Sequence, residues 1–177
     1  VSRPPLARER VLDAVERVLI DEGPSALTLE RVAEQAGVSK GGLLYHFPAK
    51  VNLVDGLFER LSALVETAVA QAPSAPEEVV RWFLHTSAWP TEQETSLYRA
   101  LTAVLRSGDE LETGRLRRIF DDYAEPLRDA LPDPVLFESV RLVGDGLFLR
   151  RLVGLGPPGN EVLDQLVDEL AARARAR

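Results

Sequence analysis

Hydrophobic positions along this chain recur at the three-to-four spacing of helices almost from end to end. Val11, Ala14, Val15, Val18 and Leu19 form one stripe, which predicts a helix from Pro5 to about Glu22, stopped by Gly23-Pro24. Leu29, Val32, Ala33 and Ala36 form a second, over Leu29–Ala36. Leu43 and Phe47 anchor a third, Lys40–His46, and Val38 is expected to plug the core beside the turn between them. A longer stripe of Leu53, Leu57, Leu61, Leu64, Val65 and Ala68 predicts a helix from about Ala49 to Gln71. Ser74-Ala-Pro-Glu77 reads as a capping box opening a helix over Pro76–Ala88, and Thr91-Glu-Gln-Glu94 as another, opening a helix to about Arg106. Leu116, Ile119, Phe120 and Tyr123 point inward from a helix over about Glu112–Leu131, which Pro126 must kink or interrupt. Asp133-Pro134 supplies a cap and a first-turn proline for a helix reaching about Val153. Asn160 caps a final helix carrying Val162, Leu163, Leu166, Val167, Leu170 and Ala174 on one stripe. Breaks fall at Ala72–Ala75, Ser107–Asp109 and Gly154–Gly159, and no stretch alternates with the period of a strand. The expected fold class is all-α, with about nine helices.

Composition narrows the chemistry. A chain of 177 residues buries a sizeable core without staples. It has no cysteine, which removes disulfides and thiolate metal sites. Its two histidines, His46 and His85, form no His-x-x-x-His pair, so no metal and no cofactor are expected. No apolar run is long enough to span a bilayer, and VSRPPLARER lacks an apolar signal core, so a cytoplasmic location is expected. The net charge of −7 is unevenly placed: residues 1–50 hold seven basic and seven acidic residues, and the remainder carries the whole excess. A neutral head on an acidic body turns the head toward a polyanion and predicts modest non-specific affinity.

The stretch Thr28–Lys50, TLERVAEQAGVSKGGLLYHFPAK, carries the most specific chemistry. Thr28 caps the second predicted helix and Ser39 the third. Gly37 stands where the chain must turn left-handed. Ala33 is small enough for two helices to cross closely, so the pair reads as a helix-turn-helix. Gly41 and Gly42 lie in the first turn of the third helix, where each costs up to about 1 kcal/mol against alanine. Their use makes sense if the helix end presses its backbone onto phosphates and base edges. No acid stands at that helix start. Lys40 attracts phosphate there, and Tyr45, His46 and Lys50 supply further donors.

This stretch, with its SKGGLLYHFPAK core, closely resembles the DNA-binding segment of TetR-type transcriptional regulators. It keeps the family's serine, lysine and glycine (Ser39, Lys40, Gly41), its tyrosine-histidine-phenylalanine run (Tyr45, His46, Phe47) and its lysine (Lys50). Gly42 and Leu44 stand where many members carry larger or more polar contacts. The strong match spans about residues 6–60. The resemblance implies a three-helix DNA-binding head, residues 1–50, joined by a long helix to a ligand-binding and dimerisation body, residues 51–177. It implies DNA contacts from Thr28, Ser39, Lys40, Gly41, Gly42, Leu44, Tyr45, His46 and Lys50. Arg3 on the N-terminal arm is a further candidate.

The partners expected are a double-stranded DNA operator, a small, largely apolar effector and a second copy of the chain. No membrane partner is expected. The body aromatics Trp82, Phe83, Trp89, Phe120, Tyr123, Phe137 and Phe148, with Tyr98, either fill a core or line an effector pocket. His85, Tyr98, Tyr123 and Asp145 are the polar groups available to orient a ligand, and Arg141 and Asp145 stand at ion-pairing i, i+4 spacing. The last two helices are expected to pair with a partner's through Leu142, Gly146, Leu149, Leu163, Leu166, Val167 and Leu170, with Gly144 also permitting close approach. No nucleophile elbow, P-loop or dinucleotide fingerprint occurs, so catalysis is not expected. The rivals are an activator, or an all-α binding protein or enzyme that keeps the helix-turn-helix without reading DNA.

Overall fold

The computed structural model describes residues 4–106 and 110–175. The arm bearing Arg3, the break expected at Ser107–Asp109 and the last two residues of the RARAR end lie outside the described residues. The regular structure is ten α-helices and one short 3-10 turn among the described residues. They are α1 (Pro4–Asp21), the 3-10 turn Pro24–Ala26, α2 (Leu29–Ala36), α3 (Lys40–His46), α4 (Lys50–Val69) and α5 (Pro76–Ala88). Then come α6 (Glu92–Leu105), α7 (Glu110–Tyr123), α8 (Glu125–Ala130), α9 (Pro134–Leu152) and α10 (Asn160–Arg175). The count exceeds the expected nine because Pro126 interrupts the predicted helix: α7 ends at Tyr123 and α8 starts at Glu125.

Local chemistry sets most boundaries. At α6 both halves of the Thr91 capping box form: Glu94 N donates to Thr91 Oγ1 at 3.1 Å, and Thr91 N to Glu94 Oε2 at 2.6 Å. Asp133 Oδ1 accepts from Val135 N at 2.9 Å and caps α9. The box expected at Ser74 does not form. Ala75 is the N-cap of α5, because Pro76 takes the first helical position and sets the start one residue later. Asn160 is likewise the first residue of α10 and not its cap; Gly159 O accepts from Val162 N and Leu163 N.

Packing divides the chain into two units. The first comprises Val1–Ala63 and Ser96–Arg117, the second Leu64–Thr95 and Arg118–Arg177. The division at residue 50 drawn from the sequence is one of function, whereas these units are groupings by packing.

In the first unit α1 packs on α2 and α3. Leu12, Val15, Val18, Leu43, Leu53, Leu57 and Leu61 are fully buried, and Phe47 nearly so. Gly56 permits close packing of α4: a Cβ there would lie 2.8 Å from Leu12 Cδ2 and 2.9 Å from Phe47 Cε1. Arg60 of α4 sends its guanidinium to α1, meeting Asp13 at 2.8 Å and Glu16 at 2.6 Å, with Glu9 as a third carboxylate partner. Glu16 is only 5% exposed, and its other oxygen accepts from Ser96 Oγ of α6 at 2.6 Å. Arg115 of α7 joins Asp55 at 2.8 Å and lies 4.1 Å over the Phe58 ring.

In the second unit α5 is central, packed by α8, α9 and α10. Its core includes Val80, Phe83, Leu84, Leu127, Val140, Leu163 and Val167. Gly144 is part of this packing: a Cβ there would sit 2.4 Å from Phe83 Cε1. Arg141 does not pair with Asp145 as its spacing allowed. It donates to Asp121 of α7 at 2.8 Å.

Candidate nucleic-acid interface

The interface is built on the first unit. α2 starts where Thr28 Oγ1 accepts from Arg31 N at 3.1 Å, and α3 where Ser39 Oγ accepts from Gly42 N at 3.1 Å. Each hydroxyl acts as acceptor in its cap, so its own hydrogen remains available to donate outward. Between them Gly37 adopts φ 63, ψ 39. Gly37 N donates to Glu34 O at 3.1 Å and Val38 N to Ala33 O at 3.0 Å, the paired bonds of a Schellman ending. Arg10 of α1 seals this end by donating to Ala36 O at 2.8 Å. Arg31 ties α2 back to the end of α1 through Glu22, 2.8 Å away, and also meets Glu34 at 2.9 Å. These bonds hold the Glu22 carboxyl below the usual carboxylate range.

α3 buries Leu43 and turns its opposite side outward. Gly41 and Gly42 are exposed. A Cβ on Gly41 would meet nothing within 4 Å, and one on Gly42 would touch only Ser39 Oγ, at 3.2 Å. Nothing in the folded chain therefore requires glycine at position 41. Tyr45 is 82% exposed, and its ring meets the half-buried His46 edge-on at 5.0 Å. With Ala7, Val11, Val38, Ser39 and Gly42 these two rings line an open depression at the start of α3. Leu44 is half-buried, as is Val38, which covers the turn without being sealed in the core.

Both lysines of the stretch are engaged within the chain. Lys40 Nζ lies 2.6 Å from Glu30 Oε1 on α2, a partner ten residues away that no i, i+4 pattern indicates. This contact lowers the Glu30 carboxyl from its ordinary range. Lys50 Nζ donates to Pro24 O at 3.4 Å.

The other candidate residues divide between the units. Tyr98 is buried in the first. In the second, Trp82, Phe83 and Tyr123 form a ring cluster with centroids 5.3 to 6.5 Å apart. Phe120 meets Phe148 edge-on at 6.3 Å, and His85 stacks on Trp89 at 5.5 Å. Phe137 is buried core. The Tyr123 hydroxyl bonds Thr86 Oγ1, and burial pushes the phenol up to about 12. Asp145 is half-buried, and that burial raises its carboxyl despite the nearby Arg141.

Of the expected dimer contacts, Leu142 and Leu149 are 66% and 59% exposed, and Gly146 has open space before it. Leu163, Val167 and Leu170 are buried in the chain's own core, and Leu166 packs against it. Val162 is exposed, off the inward stripe where the sequence put it.

A capped helix pair, locked at a left-handed glycine and presenting a glycine-started second helix, defines a helix-turn-helix regulator fold. Residues 11–57 match the family model for bacterial regulatory proteins of the tetR family, and residues 77–175 match that for the tetracyclin repressor-like C-terminal domain. The chain belongs to the TetR family of transcriptional regulators. It is 28% identical over 137 residues to the nucleoid occlusion factor SlmA of Vibrio campbellii, covering 75% of this chain and 70% of that one. The fold is also that of the multidrug binding protein EbrR complexed with malachite green (TM-score 0.70, 22% identity, 92% and 96% of the two chains covered). It is shared by NalD of Pseudomonas aeruginosa, the secondary repressor of the MexAB-OprM multidrug efflux pump (TM-score 0.66, 19% identity, 94% of each chain). Among the described residues no helix is long and apolar enough to cross a membrane.

Proposed function

We propose that the chain is a ligand-responsive transcriptional repressor that binds a near-palindromic operator as a homodimer in the cytoplasm and catalyses no reaction. The observation that carries this reading is Gly41, bare and exposed at the start of α3 on a rigidly capped helix pair. Two copies of α3 would enter successive major grooves about 34 Å apart. Thr28, Ser39, Tyr45, His46 and Lys50 hold phosphates in this reading. Gly41 and Gly42 admit the helix start to the base edges, Lys40 reaches a guanine or a phosphate, and Leu44 lies against the duplex. Residues 1–50 serve as the DNA-binding domain and residues 51–177 as the ligand-binding and dimerisation domain.

Dimerisation would use the exposed stripe Leu142, Gly146 and Leu149 of α9 with Leu166 of α10. Leu163, Val167 and Leu170 support that face from behind. The effector is a small, largely apolar molecule held among Trp82, Phe83, Phe120, Tyr123 and Phe148. The EbrR complex with malachite green supports this assignment. Binding would favour a conformer whose two heads no longer match the groove spacing, with leverage set by its differential affinity for the two states.

Fluorescence anisotropy on duplexes from the region upstream of its gene tests the reading. Specific binding that a hydrophobic dye releases is the expected result. Leu142→Glu should give a folded monomer by light scattering and lose operator binding. Failure to bind any of these duplexes in low salt would sink the proposal. The SlmA relatives favour a second reading, DNA binding in the service of nucleoid occlusion. A reporter assay separates the two, because only a repressor changes transcription from the bound promoter.

A further inference from the structure

Every basic residue of the head that the structure describes has an intramolecular partner. Arg8 meets Glu59 at 2.7 Å, Arg10 and Arg17 donate to main-chain carbonyls, and Arg31 is shared by Glu22 and Glu34. Lys50 donates to Pro24 O. Lys40 alone among them is on the helix offered to DNA, and its ammonium is held at 2.6 Å by Glu30. Glu30 stands in the first turn of α2, two residues after the Thr28 cap. Its carboxylate therefore holds an ammonium that would otherwise serve a phosphate.

We infer that Glu30 is a specificity-determining residue: it occupies Lys40 in the free head and sets a negative charge beside the phosphate path, so that non-specific DNA is held weakly. This rests on the DNA-binding reading above. A pair exposed to water contributes little to folding. Its effect on binding is different in kind. A lysine that neutralises a phosphate releases the counterion condensed there, and that release drives non-specific association. A lysine already neutralised by Glu30 brings almost no net positive charge, so the release is lost. Base-edge contacts made by groups other than Lys40 do not depend on it. Weakening the electrostatic background alone raises the ratio of specific to non-specific binding.

The test is the salt dependence of binding to a duplex of random sequence, with the full chain as the dimer. Glu30→Gln keeps the side chain's size and removes its charge. It should steepen the slope of log K against log salt by about 0.9 for each protomer, which is about tenfold more affinity lost by the dimer between 50 and 200 mM salt. The gain should vanish when Lys40→Ala is already present, since the effect passes through that ammonium. Glu66→Gln, an exposed carboxylate on α4, controls for net charge and should leave the slope near that of the unsubstituted protein. An unchanged slope in Glu30→Gln overturns the inference. So does equal steepening in the Lys40→Ala background or in Glu66→Gln. If the unsubstituted protein binds no duplex even in low salt, the DNA-binding reading itself fails. Duplex binding with an unaltered slope removes only the role of Glu30.

Discussion

Arg10 Nη2 and the carbonyl oxygen of Ala36 lie 2.8 Å apart, joining the first turns of α1 to the last turn of α2. The same guanidinium reaches toward Gly37 O at 3.4 Å. Carbonyls at a helix end lack partners within the helix, and a cation there meets the negative end of the dipole. Arg10→Ala should destabilise the protein by about 1 kcal/mol, which lowers Tm by about 2–4 °C in a chain of this size. Duplex affinity should fall with it, because the turn that aims α3 loosens. A melting curve superimposable on that of the unsubstituted protein would remove Arg10 from this role.

Gly41 separates stability from function. Its Cβ position is open, so alanine there meets no steric penalty and improves helix propensity. Gly41→Ala should raise folding stability by about 0.5 kcal/mol and weaken operator binding. Denaturant unfolding and anisotropy on one preparation check both signs. Unimpaired binding would show that α3 does not approach the duplex by its backbone at this position.

At Gly144 the two effects run together. Phe83 fills the space a side chain would need. Gly144→Val should therefore destabilise by about 2–3 kcal/mol as α9 is forced from α5, and calorimetry should record the loss. The glycine two residues later has open space within its own chain, so Gly146→Ala should leave the packing of α9 on α5 intact, and any loss should appear in the dimer population by light scattering.

The fold was legible wherever the signal was local. The Thr28, Ser39, Thr91 and Asp133 caps each act within three residues, and Gly37 answers a single backbone requirement. Ser74 and Asn160 have the right residue type for caps yet do not cap, because a neighbouring proline or glycine also sets helix starts. The candidate site was less legible for a related reason. Periodicity shows that Leu163, Val167 and Leu170 share a stripe, yet it does not say which surface covers them. Gly144 and Gly146 look equivalent in sequence and differ only in what stands opposite. Glu30 and Lys40 belong to different helices, and only the crossing angle brings them within bonding distance.

Tyr123 makes a prediction about alkaline pH. Burial raises its phenol from 10.0 to about 12, with Thr86 partly opposing the rise and Glu94 adding to it. The fold favours the neutral phenol. Its contribution is complete below pH 10 and is lost as pH climbs through about 12. The loss amounts to about 3 kcal/mol. Tyr123→Phe should flatten the fall in stability between these limits, measured by denaturant midpoint against pH. A fall of undiminished depth would mean that this phenol is not its source.

Arg60 has a consequence for how this protein can change over generations. Glu9, Asp13 and Glu16 stand along one flank of α1, and the arginine joins all three. Stripped of it, they become a ladder of mutually repelling anions with Glu16 sealed from water. Stripped of them, it becomes a stranded cation with a side chain only 8% exposed. Arg60 and Glu16 are the buried members of the set, so these two positions should be inherited or exchanged together, whereas the half-exposed Glu9 and Asp13 can be lost singly, and a viable descendant altered at residue 60 should carry a compensating change at residue 16.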